Sequence, residues 1–113
     1  MVEHLGEFEQ VLLFGLVRLG EDAHGASLQR EIERRTGRSV SPGAIRTAMS
    51  RLESRGLVTS RLGEPTARRG GRRKRLYRLQ PQGARALSES YERVRRMGED
   101  VAGELTKLSG EGA

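Results

Sequence analysis

Apolar positions recur along this chain first at helical spacing, then in strand-like runs, then at a coiled-coil period. From Leu5 to Leu19, the residues Phe8, Val11, Leu12, Gly15, Leu16 and Leu19 form a stripe that Leu13, Phe14 and Val17 widen. A helix apolar on nearly every side needs cover from more than one direction. Its own domain supplies one cover, and a second copy of the chain is the simplest source of another. Gly20 ends this helix, and Glu21-Asp22-Ala23-His24-Gly25 connects it to the next. Asp22 suits the cap of a second helix running to about Arg35, with Leu28 and Ile32 turned inward and Gly25 allowing close backbone packing. Thr36-Gly37-Arg38 turns the chain, and Ser39-Val40 suits a short strand.

A third helix opens at Ser41, whose hydroxyl can accept a first-turn amide, with Pro42 at the first helical position. Ile45, Met49 and Leu52 recur at i, i+4, i+7 on one side of it. Gly43, Arg46, Thr47, Ser50 and Ser54 fall on the other, a face that is small, hydroxylated and basic. Gly56 can stop the helix in a left-handed cap. Two short strands follow, Leu57 to Leu62 and Leu76 to Leu79, joined by a loop of Gly, Pro and Arg. Helix, short strand, helix and hairpin in this order make a winged helix-turn-helix plan within residues 1–80.

Pro81 then opens a long helix expected to run to about Leu108, with residues 109–113 as a disordered tail. Leu87, Tyr91, Val94, Gly98, Val101, Leu105 and Leu108 step alternately by four and three residues, the seam of a coiled coil. A long helix with one narrow stripe is expected to pair with another subunit. The interface residues expected are these seven together with Phe8 and Leu12 of the first helix. The fold class is therefore mainly α with a small β-hairpin, a winged helix-turn-helix plus a long C-terminal dimerisation helix over residues 81–108.

Charge sharpens the picture. Arg61, Arg68, Arg69, Arg72, Arg73, Lys74 and Arg75 face a single acid, Glu64, so the hairpin loop alone carries +6, equal to the net charge of the whole chain. A surplus kept for solubility would be spread out, whereas a patch attracts polyanions. With the patch beside the small polar helix face, double-stranded DNA is the expected partner. Arg46, Thr47 and Ser50 are placed to read base edges, Gly43 lets the helix approach closely, and Arg51 on the flank suits a phosphate. Ser41 and the helix N-terminus can offer amides to phosphate, and Arg61 and the loop arginines with Lys74 track the backbone. An RNA-binding basic protein and a protein-interaction module are the alternatives. No aromatic residue interleaves the loop arginines, as stacking on unpaired bases would want.

Catalysis finds little support. Cysteine is absent, which excludes disulfides and thiolate-bound metals. His4 and His24 lie apart, and His24 suits a packed or hydrogen-bonded role better than a metal ligand. RGGRR lacks the spacing of a phosphate loop. No catalytic residue, cofactor or metal is expected. No apolar run is long enough to span a membrane and the N-terminus lacks signal-peptide features, so a cytoplasmic location is expected. Phe8, Phe14, Tyr77 and Tyr91 are the only aromatics, a poor supply for a stacking pocket, and no small-molecule effector is assigned.

Three stretches together carry a family resemblance: LGEFEQVLLFGLVRLGEDAHG, SPGAIRTAMSRLESRGLV and LGEPTARRGGRRKRLYRLQPQGARAL. Over roughly Leu5 to Leu87 the chain resembles the PadR family of bacterial transcriptional regulators, in particular its short members with a single C-terminal helix. The resemblance implies a winged-helix homodimer, joined through the C-terminal helix, that binds operator DNA and usually represses. Where the family often has a tyrosine in the third helix, this chain has Arg46.

Overall fold

The computed structural model describes residues 4–65 and 73–110. Five helices and one hairpin follow in the order α1 (Glu7–Leu19), a 3₁₀ turn (Gly20–Asp22), α2 (Gly25–Thr36), α3 (Pro42–Ser54), β1 (Val58–Leu62), β2 (Arg75–Leu79), α4 (Pro81–Gly98) and α5 (Ala102–Ser109). The mainly helical winged-helix plan is present. Among the described residues no helix is long and apolar enough to cross a membrane.

The core is aliphatic, as a chain this poor in aromatics requires. Leu12, Leu13, Leu28, Ile45, Met49, Leu52, Leu57 and Val58 are completely buried where α1, α2, α3 and the base of the hairpin meet. Gly15 sets how closely α1 and α2 approach, because a Cβ there would stand 2.7 Å from Leu28 Cδ2. Gly25, by contrast, has open space around it, so close packing is not its role.

The cap of α2 differs from expectation. Residues 20–22 are already turned into the 3₁₀ segment, which leaves Asp22 without the extended backbone that a cap needs; His24 supplies it instead (φ −141°, ψ 176°). Ser27 Oγ accepts the His24 amide at 3.0 Å, and His24 Nδ1 lies 3.0 Å from the Asp22 carbonyl oxygen. His24 is thus a buried, hydrogen-bonded residue. Ser39-Val40 adds no strand, since the Val40 carbonyl accepts from Gln29 Nε2 at 2.8 Å and the described sheet has two strands. The outer edge of β2 is met by the connector instead, through Tyr77 N–H donating to Ala23 O at 2.8 Å.

At the end of α3, Gly56 takes the left-handed conformation (φ +76°) and the Leu57 amide donates back to the Leu52 carbonyl. The strands pair antiparallel from Val58↔Leu79 to Leu62↔Arg75. Gln80 N–H donates to Leu57 O, and the first turn of α4 then lies against that same carbonyl. Gly83 makes this possible: a Cβ there would sit 2.1 Å from Leu57 O.

The C-terminal helix is not continuous to Leu108. It ends at Gly98, passes through Asp100 with φ +61°, and resumes as α5. Glycine is a poor helix former and aspartate tolerates left-handed backbone, and no packing within the subunit opposes the break. Beyond the break, α5 extends through Ser109 and is capped by Gly110 (φ +76°), while residues 111–113 lie outside the described region. Nor does the helix lack a face for its own domain. Gly83, Ala86, Leu87 and Ser90 are buried, Ser90 Oγ accepting the Leu5 amide, and Tyr91 meets Phe14 edge-on with ring centroids 5.3 Å apart.

Replacing Gly83 with Ala is expected to lower stability by about 1–3 kcal/mol through overpacking against backbone. Gly98→Ala, with nothing within 4 Å of the new methyl, should leave stability level or raise it by up to about 1 kcal/mol. Thermal denaturation of the two variants side by side checks this, and equal melting temperatures would contradict it.

Candidate nucleic-acid interface

Because Ile45, Met49 and Leu52 are buried, the opposite side of α3 must face solvent. Gly43, Arg46, Thr47, Ser50, Arg51 and Ser54 line one shallow exposed depression there. Arg51 shares this surface with Arg46. Among the described residues no carboxylate pairs with either guanidinium, so both charges face outward. Ser54 Oγ donates to the Ser50 carbonyl at 3.0 Å, which ties up its proton and leaves Thr47 and Ser50 as the freer hydroxyls. At the start of the helix Ser41 Oγ accepts the Ala44 amide at 3.0 Å, so the predicted cap is in place.

The hairpin adjoins this face. Arg61, Arg73 and Lys74 are exposed, and the Gly63 amide donates to the Lys74 carbonyl at 2.7 Å, continuing the ladder toward the loop. Arg68, Arg69 and Arg72 lie outside the described residues. Arg75 behaves differently from its neighbours in sequence. It is half-buried, and its Nη1 donates to Ser60 Oγ at 3.1 Å. The Ser60 hydroxyl in turn lies 3.1 Å from both carboxylate oxygens of Glu53, in the last turn of α3. Sequence reading missed this linkage, although strand alternation carries the signal: Ser60 shares a face with buried Val58, and Arg75 with buried Tyr77.

The hydrogen bond from Ser60 to Glu53 makes the last turn of α3 and the hairpin direct neighbours. Burial pushes the Tyr77 phenol above its ordinary pKa; the Arg75 and Arg46 guanidiniums draw it back, and the Glu53 carboxylate adds to the rise. Elsewhere several basic residues are matched with carboxylates. Arg34 and Arg35 hold the Glu31 carboxyl below the usual carboxylate range, and Arg95 does the same for Glu92. Among the described residues no group of three or more His, Asp or Glu side chains is arranged to hold a metal ion.

The predicted interface residues divide. Leu12 is fully buried and Leu87 nearly so, both inside the subunit's own core, and Phe8 is half-buried against it. Leu12 and Leu87 are therefore no free surface for another chain, whereas Phe8 keeps part of its surface open. Tyr91, Val94, Val101, Leu105 and Leu108 are exposed, and so are Phe14, Val17 and Met97, which the heptad seam did not include. Gly98 stands in open space at the break.

This arrangement defines a winged-helix protein with one basic, small-residued helical face. The profile of the Transcriptional regulator PadR-like family matches residues 13–89, and the chain belongs to that family. It is 34% identical over 91 residues to the transcriptional regulator Rv3488 of Mycobacterium tuberculosis, covering 80% of each chain. Its fold is similar to a PadR family transcription regulator from Clostridium difficile R20291 (TM-score 0.67, 18% identity, 87% of this chain and 98% of that one). It is also similar to Bacillus subtilis PadR, solved in complex with operator DNA (TM-score 0.58, 22% identity, 74% of this chain and 47% of that one).

Removing the cap of α3 tests how firmly the face is set. Ser41→Ala is expected to cost about 1 kcal/mol of stability, read from urea unfolding; a variant as stable as the parent would show that the cap does not anchor the helix.

Proposed function

We propose that this PadR-like regulator binds double-stranded DNA sequence-specifically as a homodimer and represses transcription from the cytoplasm. The observation that carries the reading is the exposed Gly43–Ser54 face of α3, with two arginines that have no acidic partner among the described residues, beside a hairpin that holds the chain's net positive charge. The helix enters a major groove. Arg46, Thr47 and Ser50 read base edges, where an arginine pairs in bidentate fashion with guanine. Arg51, the α3 N-terminus at Ser41, Arg61, Arg73 and Lys74 grip phosphates, together with Arg68, Arg69 and Arg72. Phosphate contacts give affinity, and base contacts give the choice of site.

Dimerisation is supported by the apolar band that the subunit leaves uncovered. Val17 on α1, Val94 and Met97 on α4, and Leu105 and Leu108 on α5 are each 60% or more exposed. A band of this kind across three helices marks an interaction surface. Two-fold pairing through it would place two α3 helices on successive major grooves, about 10 bp apart, over a pseudo-palindromic operator. Repression is the sign that the family resemblance implies, and a dimer seated over a promoter accounts for it by exclusion.

If each subunit meets about three to four phosphates, affinity should fall with a log–log salt slope of roughly −5 to −7. Arg46→Ala should cost about 1–3 kcal/mol on the preferred site while sparing random DNA, whereas Arg73→Ala should weaken both alike. Fluorescence anisotropy titrations across salt concentrations measure all three quantities, and a slope near zero would end the reading. Sedimentation of the parent should give a dimer of the 12.5 kDa chain. The Val94→Glu, Leu105→Glu double variant should sediment as a monomer; a monomeric parent at high concentration would contradict the pairing.

A further inference from the structure

Arg75 belongs by sequence to the arginine cluster, yet its environment sets it apart. Arg73 and Lys74 are exposed; Arg75 is half-buried, on the face of β2 that also carries buried Tyr77. Ser60 is the cross-strand partner of Tyr77, so the Arg75 side chain runs diagonally across the hairpin to reach it. From Ser60 the contact continues to the carboxylate of Glu53. One hydroxyl thereby connects the last turn of α3, β1 and β2, the three elements whose relative placement determines where the hairpin loop sits beside the helix.

Building on the DNA-binding reading above, we propose that Arg75 is a positioning residue and not a phosphate contact. With Ser60 and Glu53 it forms a brace that fixes the angle of the wing against the recognition helix. The need for a brace follows from leverage. A strand of five residues is about 17 Å long, so a tilt of about 5° at its base moves the loop by roughly 1.5 Å. That displacement exceeds the width of the whole hydrogen-bond distance range, about 2.7–3.2 Å. The apolar contacts of Val58 at the hairpin base resist dissociation but have no directional preference of their own. A charge-assisted link through a hydroxyl does. The brace also partly offsets the Arg75 charge with Glu53, which makes Arg75 the least available cation of the described cluster.

Ser60→Ala is the decisive variant because it changes no charge. The probes are a duplex selected by the parent protein from a random-sequence library and a scrambled duplex of the same composition, both titrated well below the melting temperature. Ser60→Ala should bind the selected duplex about 3–10-fold more weakly with the parent's salt slope, and Ser60→Thr, which keeps the hydroxyl, should restore binding. Arg75→Gln should also keep the parent's slope, whereas Arg73→Gln should reduce its magnitude by about 1. A slope reduced by Arg75→Gln as much as by Arg73→Gln, or a Ser60→Ala variant with parental affinity, would overturn the proposal. Hydrogen exchange without DNA keeps the brace separate from the functional reading. Ser60→Ala should speed exchange of the β1–β2 ladder amides several-fold, and unchanged exchange would remove the brace. A parent that enriches no duplex from the library would end the DNA-binding reading alone.

Discussion

The burial of one side of α3 is the constraint on which the rest of this molecule depends. Ile45, Met49 and Leu52 are 1%, 0% and 0% exposed, and each such side chain contributes about 1.5–3 kcal/mol on leaving water. No single polar contact on the helix approaches that sum. The outward direction of Arg46, Thr47, Ser50 and Arg51 is therefore set by what lies beneath them, before any partner arrives. Ser41 and Gly56 mark where the helix starts and stops, and so which turn of it is presented.

The remaining elements transmit this placement. Gly83 brings α4 onto the Leu57 carbonyl at the base of β1, so the C-terminal helix is registered against the hairpin by backbone contact. Further along, α4 is held by the N-terminal segment: the Leu5 amide donates to Ser90 Oγ, and Arg93 reaches the His4 ring at 3.1 Å. The same segment touches the end of α3, where Arg55 donates to the His4 carbonyl and also pairs with Glu9 of α1 at 3.1 Å. The helix α3 and the helix α4, which carries part of the uncovered apolar band, thus share a short chain of contacts. In the proposed dimer, the separation of the two reading faces is inherited from these contacts and not from the hairpin loops.

Much of this was legible in the residues. The α3 stripe, its Ser-Pro start and its glycine stop follow from period and capping chemistry, and each is local. The hairpin followed from two short strand-like runs, and the placement of the small basic face from the stripe opposite. What was not legible depended on competition between neighbours or on contacts far apart in sequence. Asp22 is a good cap residue, yet the preceding 3₁₀ turn takes its backbone. The heptad seam suggested an unbroken helix through Leu108, because periodicity does not register the cost of Gly98 and Asp100 when no subunit contact holds them helical. Leu87 fits the seam and the core equally well by pattern, and only the packing of α4 on α1 decides between them. Arg75 looked like one more cation in a run. Its parity with Tyr77 was the available sign that it turns inward.

The central claim is that a helical face and an arginine-bearing hairpin form one DNA surface, doubled by two-fold symmetry. Hydroxyl-radical footprinting on a duplex selected from genomic fragments tests it most directly. Two protected tracts should appear, related by a dyad and centred about one helical turn apart, each flanked by protection where the hairpin lies along the backbone. A single tract, or cleavage indistinguishable from free DNA at protein concentrations that saturate binding, would contradict the account.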